Sequence, residues 1–302
     1  MENNLLSLST LDKEDFDYLL TRALELKQRH EQNISDLPLA GKTVGLIFEK
    51  PSTRTRISFE VATSQLGGAS IFISSQETQM SRDEPIKDTA RVLSNYLDCL
   101  VIRTYAQKII EEFENFSTIP VINALTDLYH PCQILSDLIT VVEYKGGYKG
   151  LKIAWVGDGN NVANSWINAA GILDLNLVLA CPENYLPNPE IIKNALAAGK
   201  GKVEIVADPV QAVKNADVIY TDVWASMGQE EELEKRKQLF KPFQVNSKLV
   251  SMAAKDAIIM HCLPAHRGEE ISDKVMEGEQ SVIWDQSENK LHMHKAILET
   301  FL

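Results

Sequence analysis

The sequence predicts an α/β protein in which two doubly wound domains each contain a parallel sheet. Short apolar segments rich in β-branched residues alternate with longer segments whose apolar residues recur at helical spacing. That alternation is typical of parallel strands covered by helices. It stops at Gly146 and Gly147 and begins again at Leu151. A chain of 302 residues with 44% hydrophobic content is long enough for two domains of about 150 residues, each with its own core.

The predicted elements follow one another in a similar order in both halves. Strands are expected at 43–48, 69–74, 99–103 and 121–123 in the first half, and at 152–156, 176–180, 203–206, 218–220, 258–260 and 281–284 in the second. Helices are expected at 11–29, 52–66, 85–97, 131–145 and 287–302, and in the intervals between the other strands. Because the functional loops of such sheets follow the carboxyl ends of the strands, reacting groups are expected there.

Composition and charge exclude several classes of protein. The net charge of −12 argues against nucleic acid or an anionic membrane as a partner, because phosphate-rich surfaces would repel the chain. No apolar run approaches the roughly 18 residues that span a bilayer, and the first residues lack a signal-peptide pattern, so we expect a cytoplasmic protein. The cysteines lie far apart without a CxxC pair, which predicts free thiols: Cys99, Cys132, Cys181 and Cys262.

The stretch from Phe48 to Glu60 predicts a binding site for a phosphate or a similar dianion. It follows a strand and opens a helix, whose N-terminus offers unpaired backbone N–H groups and the positive end of a dipole. Five side chains add hydroxyl or guanidinium donors: Ser52, Thr53, Arg54, Thr55 and Arg56. A helix cap alone needs only one hydroxyl. We keep the simpler interpretation for Arg56, which is spaced to pair with Glu60.

Three further polar residues fall where α/β enzymes place reacting groups. Arg103 ends a predicted strand, and His130 and Gln133 lie at a loop and the start of a helix. Arg103 and His130 could donate to an oxygen as negative charge develops on it, while the Gln133 side-chain oxygen could accept from an amide. Alone, each also fits a structural role, with His130 as a hydrogen-bonding residue beside proline and Arg103 as a surface ion pair.

The Ser-Thr-Arg-Thr-Arg string, with its Phe-Glu-Lys lead-in, resembles the carbamoyl-phosphate signature of the aspartate/ornithine carbamoyltransferases. Arg-Thr at 103–104 and His-Pro-Cys-Gln at 130–133 match that family in the same order. The resemblance implies a carbamoyl-phosphate domain at 1–147, completed by 285–302, and an ornithine-binding domain at 148–284. The implied carbamoyl-phosphate ligands are Ser52, Thr53, Arg54, Thr55, Gln79, Arg103, His130, Gln133, Cys262, Leu263 and Lys290. Of these, catalysis would involve Thr55, Arg103, His130 and Cys262.

A glycine-containing turn at 156–162 must be weighed as a dinucleotide fingerprint, and hence as a sign of an NAD-dependent dehydrogenase. The fit is poor, because Val162 stands at the third glycine position and Asp158 would place a carboxylate beside a pyrophosphate. We interpret the turn as the entry to a helix of the second domain. The resemblance makes Asn164 on that helix a ligand for the α-amino and carboxylate end of an amino acid.

The segment 222–228, Asp-Val-Trp-Ala-Ser-Met-Gly, follows a strand and predicts a mobile loop. From the residues alone, Asp222 could equally cap the next helix. Within the family this segment resembles the ornithine-specific loop, which favours ornithine over aspartate. The resemblance implies that Asp222 meets an amine of ornithine and that Ser226 and Met227 lie along its chain.

The string His261-Cys262-Leu263-Pro264 ends another strand and could be a nucleophilic thiol or, with His266, a metal site. We expect neither, because adjacent strand residues point to opposite faces and no further ligands are suitably spaced. The resemblance instead has Cys262 contact ornithine and has backbone carbonyls of this string receive the carbamoyl amide. The histidines at 292 and 294 are expected on a helix surface.

Two departures from the family pattern stand out. Lys290 replaces an arginine that is usual in the last helix, exchanging a fork-shaped donor for a point charge. Ser81 stands where a glycine is common, in the polar loop 75–84 that also contains Gln79.

The resemblance implies transfer of the carbamoyl group of carbamoyl phosphate to the δ-amine of ornithine, without metal or cofactor. It also implies a homotrimer in which loop 75–84 reaches the neighbouring site. The alternatives are a carbamoyltransferase for another amine, such as putrescine or N-acylated ornithine, the dehydrogenase above, and a binding protein without turnover.

Overall fold

The computed structural model describes residues 3–74, 84–225 and 233–302. The chain forms two compact units, one made of Met1–Ile139 with Glu288–Leu302 and the other of Thr140–Ser287. Both are α/β units whose strands are parallel throughout, so the predicted fold class is confirmed. Among the described residues, no helix combines the length and apolar character needed to cross a membrane.

The first unit contains a four-stranded sheet in the order β2-β1-β3-β4. Its strands are β1 Thr43–Phe48, β2 Ala69–Ile73, β3 Cys99–Arg103 and β4 Val121–Leu125. The interior strands are apolar and buried on both faces, as expected for a parallel sheet with helices on both sides. The edge strand β2 is different, because Ile71 and Phe72 remain exposed although both are apolar.

The helices of the first unit include the last helix of the chain. They are α1 Lys13–Glu31, α2 Arg54–Gln65, α3 Ile86–Leu93, α4 Gln107–Phe116, α5 Pro131–Lys145 and, at the end of the chain, α12 Ile283–Phe301. α12 bonds to α1 through Arg22 with Glu299 at 2.8 Å and through Lys27 with Asn289 at 2.8 Å. The predicted return of the C-terminal helix to the first unit is therefore confirmed.

The second unit contains a five-stranded sheet in the order β7-β6-β5-β8-β9. Its strands are β5 Lys152–Val156, β6 Asn176–Ala180, β7 Lys202–Val206, β8 Val218–Thr221 and β9 Ile258–His261. The helices between them are α6 Asn161–Ile172, α7 Pro189–Ala198, α8 Pro209–Val213, α9 Leu233–Phe240, α10 Ser247–Val250 and α11 Asp273–Met276. A buried apolar cluster that includes Val156, Ile219 and Ile259 covers one face of this sheet.

Each sheet has a point where the chain reverses its direction of travel across the sheet. From β1 the chain goes to β2 on one side and then returns to β3 on the other, and from β5 it goes to β6 and β7 before returning to β8. Open α/β sheets bind ligands beyond the carboxyl ends of the strands at such a switch point. Ligand-binding sites are therefore expected after β1 and β3 in the first unit, and after β5 and β8 in the second.

The strand predicted at 281–284 is wrong, because α12 already begins at Ile283 and Ser281 makes only an isolated bridge to Ile259. A three-residue apolar run fits the start of a helix as well as a short strand. The helix predicted to reach Leu97 also ends early, at Leu93. The other predicted strands end within two residues of the observed bounds.

Candidate functional site

The loop after β1 leads into α2, whose first turn has no side-chain cap. Thr53 occupies the cap position but makes no capping hydrogen bond, and no acidic residue lies in the first turn. The leading N–H groups of a helix have no partner within the helix. Thr55 is buried, while Ser52 and Arg54 are half-buried. The predicted anion-binding residues therefore surround an open helix start.

Contacts to the neighbouring strands hold this loop. The Glu49 backbone N–H donates to the carbonyl of Arg103 at 2.9 Å, and the Glu49 carboxylate accepts a hydrogen bond from the Thr104 hydroxyl. The buried Lys50 pairs with Asp127 and lies 4.3 Å from the ring centre of Tyr105. Residues after β1, β3 and β4 are thus joined at one edge of the sheet, as the topology predicts.

The Arg56 side chain is held by Glu60 and Phe72. Its guanidinium donates to Glu60 at 2.8 Å and lies 3.6 Å from the ring centre of Phe72. The predicted pairing with Glu60 is confirmed.

His130, Gln133 and Lys290 form a buried cluster in the first unit. Lys290 on α12 donates to the Gln133 side-chain oxygen at 2.7 Å, and the Gln133 amide nitrogen donates to Asp137 at 2.8 Å. Burial, and then the positive charges of Lys290 and Arg103, hold the pKa of His130 well below its ordinary value of 6.5. His130 is therefore neutral at physiological pH.

The prediction that His292 and His294 lie on a helix surface is wrong, since they are 1% and 0% exposed. His294 stacks on Phe59 at 3.7 Å between ring centres, and its Nδ1 lies 2.8 Å from the Ser58 hydroxyl on α2. The ring of His292 lies 5.6 Å from that of His30. Partners on α1 and α2, distant in the sequence, explain this burial.

In the second unit, Asp222 directly follows β8 and is 6% exposed. One carboxylate oxygen accepts from the Asn160 amide at 2.7 Å, and the other accepts from the Val223 backbone N–H at 2.8 Å and from the Cys262 thiol at 3.0 Å. Three polar donors thus fix the carboxylate. Sequence reasoning missed Asn160, whose place at the start of α6 beside the switch point was the available signal.

Asn164 lies near the start of α6 and is buried. Its side-chain oxygen accepts from the backbone N–H of Asn188 at 3.2 Å. Asn164, Asp222 and Cys262, all predicted to bind ornithine, belong to the same unit.

The segment after β9 is shaped by a buried hydrogen-bond network around His261. Its Nδ1 accepts from the Leu263 backbone N–H at 2.8 Å, and its Nε2 lies 3.0 Å from a Glu270 oxygen. Because Nδ1 accepts, Nε2 carries the proton and donates to Glu270. Leu263 has a left-handed backbone with φ of 59° and precedes a cis peptide bond to Pro264.

The expectation that the side chains of His261 and Cys262 point to opposite faces is wrong. Possible ligand atoms of His261, Cys262 and Asp222 lie within 4.8 Å of one another, because Cys262 stands beyond the end of β9, where strand alternation no longer applies. Both ring nitrogens of His261 are nevertheless occupied by hydrogen bonds. A second such group, His266, Glu269 and Glu270, includes Glu270, which accepts from both His261 and the His266 backbone.

Three predicted site residues, Gln79, Ser226 and Met227, lie outside the described residues, as does Ser81. All four cysteines are free thiols, as predicted: Cys99, Cys132, Cys181 and Cys262.

Comparison with known proteins gives the same family across the whole chain. Residues 3–143 match the carbamoyl-P binding domain of aspartate/ornithine carbamoyltransferase, and residues 149–301 match its Asp/Orn binding domain. The chain is 56% identical over 302 residues to an ornithine carbamoyltransferase of Syntrophus aciditrophicus, covering 100% of both chains.

Solved structures agree with the sequence relatives. An ornithine carbamoyltransferase from Pyrococcus furiosus superposes with a TM-score of 0.94 at 50% identity, covering 98% of this chain and 95% of the other. An anabolic ornithine carbamoyltransferase from Campylobacter jejuni gives a TM-score of 0.93 at 41% identity, covering 99% and 98%. With both domains matched and full-length relatives at this identity, the chain belongs to the aspartate/ornithine carbamoyltransferase family of enzymes.

Proposed function

We propose that this enzyme transfers the carbamoyl group of carbamoyl phosphate to the δ-amine of ornithine, giving citrulline and phosphate. The observation that carries the choice of ornithine is the Asp222 carboxylate beyond β8, held by Asn160, Val223 and Cys262. A fixed, buried anion favours a substrate that brings an ammonium group and disfavours a second carboxylate, as aspartate would bring. We assign carbamoyl-phosphate binding to residues 1–147 with 285–302, and ornithine binding to 148–284.

The open start of α2 supports the assignment of the phosphate. Its backbone N–H groups, the hydroxyls of Ser52, Thr53 and Thr55, and the Arg54 guanidinium offer the donors that a phosphate dianion needs. Gln79 is assigned to the same ligand by resemblance alone. Lys290 would add a point charge, and its bond to the Gln133 side-chain oxygen would hold that side chain in place beside the carbamoyl group.

Positioning and electrostatics would perform the chemistry. As the amine attacks the carbonyl carbon, negative charge develops on the carbonyl oxygen, and Thr55, Arg103 and His130 would stabilise it. His130 would do so as a neutral hydrogen-bond donor, because burial lowers its pKa. Since alkylamines titrate near 10, the site must favour the neutral amine, and the leaving phosphate would accept the proton that the amine loses.

For ornithine we assign Asn164, Asp222, Ser226, Met227 and Cys262. Cys262 would contact ornithine beside Asp222, to which its thiol already donates. The backbone carbonyls of Cys262 and Leu263 would receive the carbamoyl N–H₂ group. The His261 contact that fixes the Leu263 N–H supports this assignment, because it holds the backbone at the same point.

A colorimetric assay of citrulline formation tests the proposal. Purified enzyme with carbamoyl phosphate should carbamoylate ornithine. It should carbamoylate aspartate at least about a hundredfold more slowly, because a second carboxylate beside the buried Asp222 costs about 3 kcal/mol. Putrescine and N-acetylornithine should also be slower substrates, because neither has the complete free α-amino and carboxylate end assigned to Asn164. Faster turnover of putrescine or N-acetylornithine would favour the alternative amine. The absence of any carbamoyl transfer would contradict the whole proposal.

We also propose a homotrimer with shared sites, acting in the cytoplasm. The four free thiols fit a reducing compartment. The exposed apolar residues Ile71 and Phe72 on edge strand β2, with Ile57 on α2, fit a surface that another chain covers.

Subunit mixing tests the shared site. If Gln79 of one chain completes the pocket of Arg54 in the next, inactive Arg54→Ala and Gln79→Ala chains refolded together should regain about a quarter of wild-type activity. Three quarters of random trimers are mixed, and each mixed ring restores one site in three. A mixture no more active than its parents, when crosslinking shows mixed trimers, would contradict sharing.

A further inference from the structure

A buried arginine in the second unit has no part in the chemistry proposed above. Arg236 on α9 is 6% exposed, and its guanidinium lies 4.4 Å from the ring centre of Tyr185. One of its terminal nitrogens, Nη1, donates both to a carboxylate oxygen of Asp158 at 3.1 Å and to the backbone carbonyl of Trp224 at 2.8 Å. Burying a charge is costly unless it is paired and hydrogen-bonded, so this arrangement needs a reason.

The two partners of Arg236 lie in the two loops at the switch point of the second sheet. Asp158 belongs to the loop after β5, and Trp224 belongs to the segment after β8. Each lies two residues from one end of the Asn160–Asp222 hydrogen bond, since Asn160 follows Asp158 by two positions and Trp224 follows Asp222 by two. Arg236 therefore ties together both loops that set the position of the Asp222 carboxylate.

We propose that Arg236, through Asp158 and the carbonyl of Trp224, is a positioning residue that fixes Asp222 for the ammonium group of ornithine. The inference rests on the proposed function, in which Asp222 is an ornithine ligand. Arg236 itself would touch no substrate. It acts by holding the loops after β5 and β8 at one spacing.

Arginine suits this role better than lysine. Its planar guanidinium presents several donors in fixed directions and stacks on an aromatic face, whereas a lysine ammonium is a point charge on a flexible stem. The Trp155 indole N–H, which donates to the Asp158 backbone carbonyl at 3.0 Å, holds the acidic partner from the other side. Arg236→Lys should therefore restore only part of the function.

The acidic partner also predicts a response to pH. Burial raises the pKa of Asp158 to about 6 against the opposing effect of Arg236, and Asp222 raises it further. The pKa of the Cys181 thiol is raised by burial and then by the charge of Asp158, so this thiol also faces the Asp158 carboxylate. Below about pH 6, Asp158 becomes neutral and holds Arg236 less strongly. Asp158→Asn should imitate this state at neutral pH.

Steady-state kinetics of the whole enzyme test the proposal. Arg236→Met should raise the KM for ornithine about tenfold or more, with the KM for carbamoyl phosphate within about twofold, and Arg236→Lys should lie between this and wild type. The matched control is Lys235→Met, which removes an exposed cation from the adjacent position of α9 and should change neither constant. Equal increases in both KM values, or an unchanged ornithine KM in a folded Arg236→Met enzyme, would overturn the proposal.

Two further measurements separate positioning from a general loss of structure. In the Asp222→Asn background, adding Arg236→Met should raise the ornithine KM less than about twofold, because the carboxylate that it positions is gone. If Arg236→Met raised the ornithine KM as much in the Asp222→Asn background as in the wild-type enzyme, the positioning role would be overturned. In the wild-type enzyme, the KM for ornithine should rise between pH 7 and pH 5.5 as Asp158 becomes neutral. In Asp158→Asn this part of the rise should be absent, and a wild-type pH dependence in that variant would also overturn the positioning role.

The Asp222→Asn and Arg236→Met variants together separate failure of the inference from failure of the proposed function. An unchanged ornithine KM in Asp222→Asn alone overturns the assignment of Asp222 to ornithine, and the inference falls with it. A raised KM in Asp222→Asn with an unchanged KM in Arg236→Met overturns the positioning role alone.

Discussion

The starts of α2 and α6 occupy equivalent places, each following the strand that begins the switch point of its own sheet, yet their first turns are built in opposite ways. At α2, Thr53 makes no side-chain cap, and residues that bear hydroxyl and guanidinium groups occupy the cap position and the first turn. At α6, the Asn160 oxygen accepts from the backbone N–H groups of Val162 at 2.9 Å and Ala163 at 3.2 Å. One helix start can receive an anion, and the other is already occupied by its own side chain.

This difference shows how one fold provides sites of opposite charge. The Asn160 oxygen closes the start of α6, and its amide nitrogen holds the Asp222 carboxylate, which we propose receives a cationic group of the substrate. The dehydrogenase alternative also fails here, because the N–H groups that a pyrophosphate would need are taken by Asn160. An uncapped start does not make a site by itself, since α4 also begins without a side-chain cap.

The largest effect is expected from the open helix start. Arg54→Ala should raise the KM for carbamoyl phosphate and lower kcat, because it removes a charge-assisted contact in the pocket. The cost should be about 2–4 kcal/mol of transition-state stabilisation, measured as the ratio of kcat/KM values.

The chain supplies a matched control for this change. Arg56→Ala removes the neighbouring guanidinium, which is bonded to Glu60 and stacked on Phe72, and it should leave the KM for carbamoyl phosphate nearly unchanged. If Arg54→Ala were within about twofold of wild type, or if both variants were equally impaired, α2 would not be the phosphate site.

The next largest effect concerns the second unit. Asp222→Asn should raise the KM for ornithine by a factor that corresponds to about 1.5–3 kcal/mol, the range for hydrogen bonds to charged groups. The KM for carbamoyl phosphate should change little. Asp174→Asn, at an exposed position of the same unit, is the control and should behave as wild type. Initial rates with each substrate varied separately would measure both constants. An ornithine KM unchanged by Asp222→Asn would contradict the assignment of Asp222 as an ornithine ligand.

The two units should also differ in their response to acid. Burial lowers the pKa of His292 in the first unit to about 3, so the folded chain stays unprotonated where the unfolded chain takes a proton below 6.5. Its contribution to stability is full above pH 6.5 and is lost as the pH falls toward 3, by at most about 1.4 kcal/mol per pH unit. His292→Gln should therefore reduce the drop in Tm between pH 7 and pH 5.

In the second unit, Asp158 changes the stability of the fold with pH in the opposite direction. The raised pKa of Asp158, about 6 against an ordinary 3.8, gives a contribution that is full below pH 3.8 and is lost as the pH rises through 6. Asp158→Asn should therefore steepen the drop in Tm on acidification, whereas His292→Gln makes it shallower. Parallel changes in the two variants, recorded as melting temperatures at several pH values, would contradict this opposition.

Local patterns in the sequence were sufficient to predict most of the fold and to propose a phosphate site. Short apolar β-branched runs identified the strands of both sheets, and the donors proposed for the phosphate are consecutive, from Ser52 to Thr55. The start of α12 was missed because a run such as Val282 to Trp284 has no periodicity of its own.

Features that depend on distant partners could not be read from the sequence. The burial of His294 depends on Ser58, which is 236 positions away, and the role of Asn160 depends on Asp222, which is 62 positions away. The pairing of Arg236 with Asp158 likewise joins residues 78 positions apart. In each case a polar side chain of ordinary appearance gains its role only when the sheet brings two loops or helices together.

The smallest effect is expected from separating the two functions of Asn160. Asn160→Ser keeps an oxygen that can cap α6 but removes the amide that donates to Asp222, so Tm should change little. The ornithine KM should rise by a factor that corresponds to about 0.5–1.5 kcal/mol, the net free energy of one hydrogen bond. Asn160→Ala removes both contacts and should show the same increase in KM together with a loss of stability of about 0.5–2 kcal/mol.

Asn246→Ser is the control, because Asn246 caps α10 in the same unit through the N–H groups of Lys248 and Leu249 and is not among the hydrogen-bond partners of Asp222. It should leave the ornithine KM unchanged. If Asn160→Ser matched wild type in ornithine KM while Asn160→Ala lost both stability and affinity, the cap alone would matter. The closed start of α6 would then be a structural feature with no part in presenting Asp222.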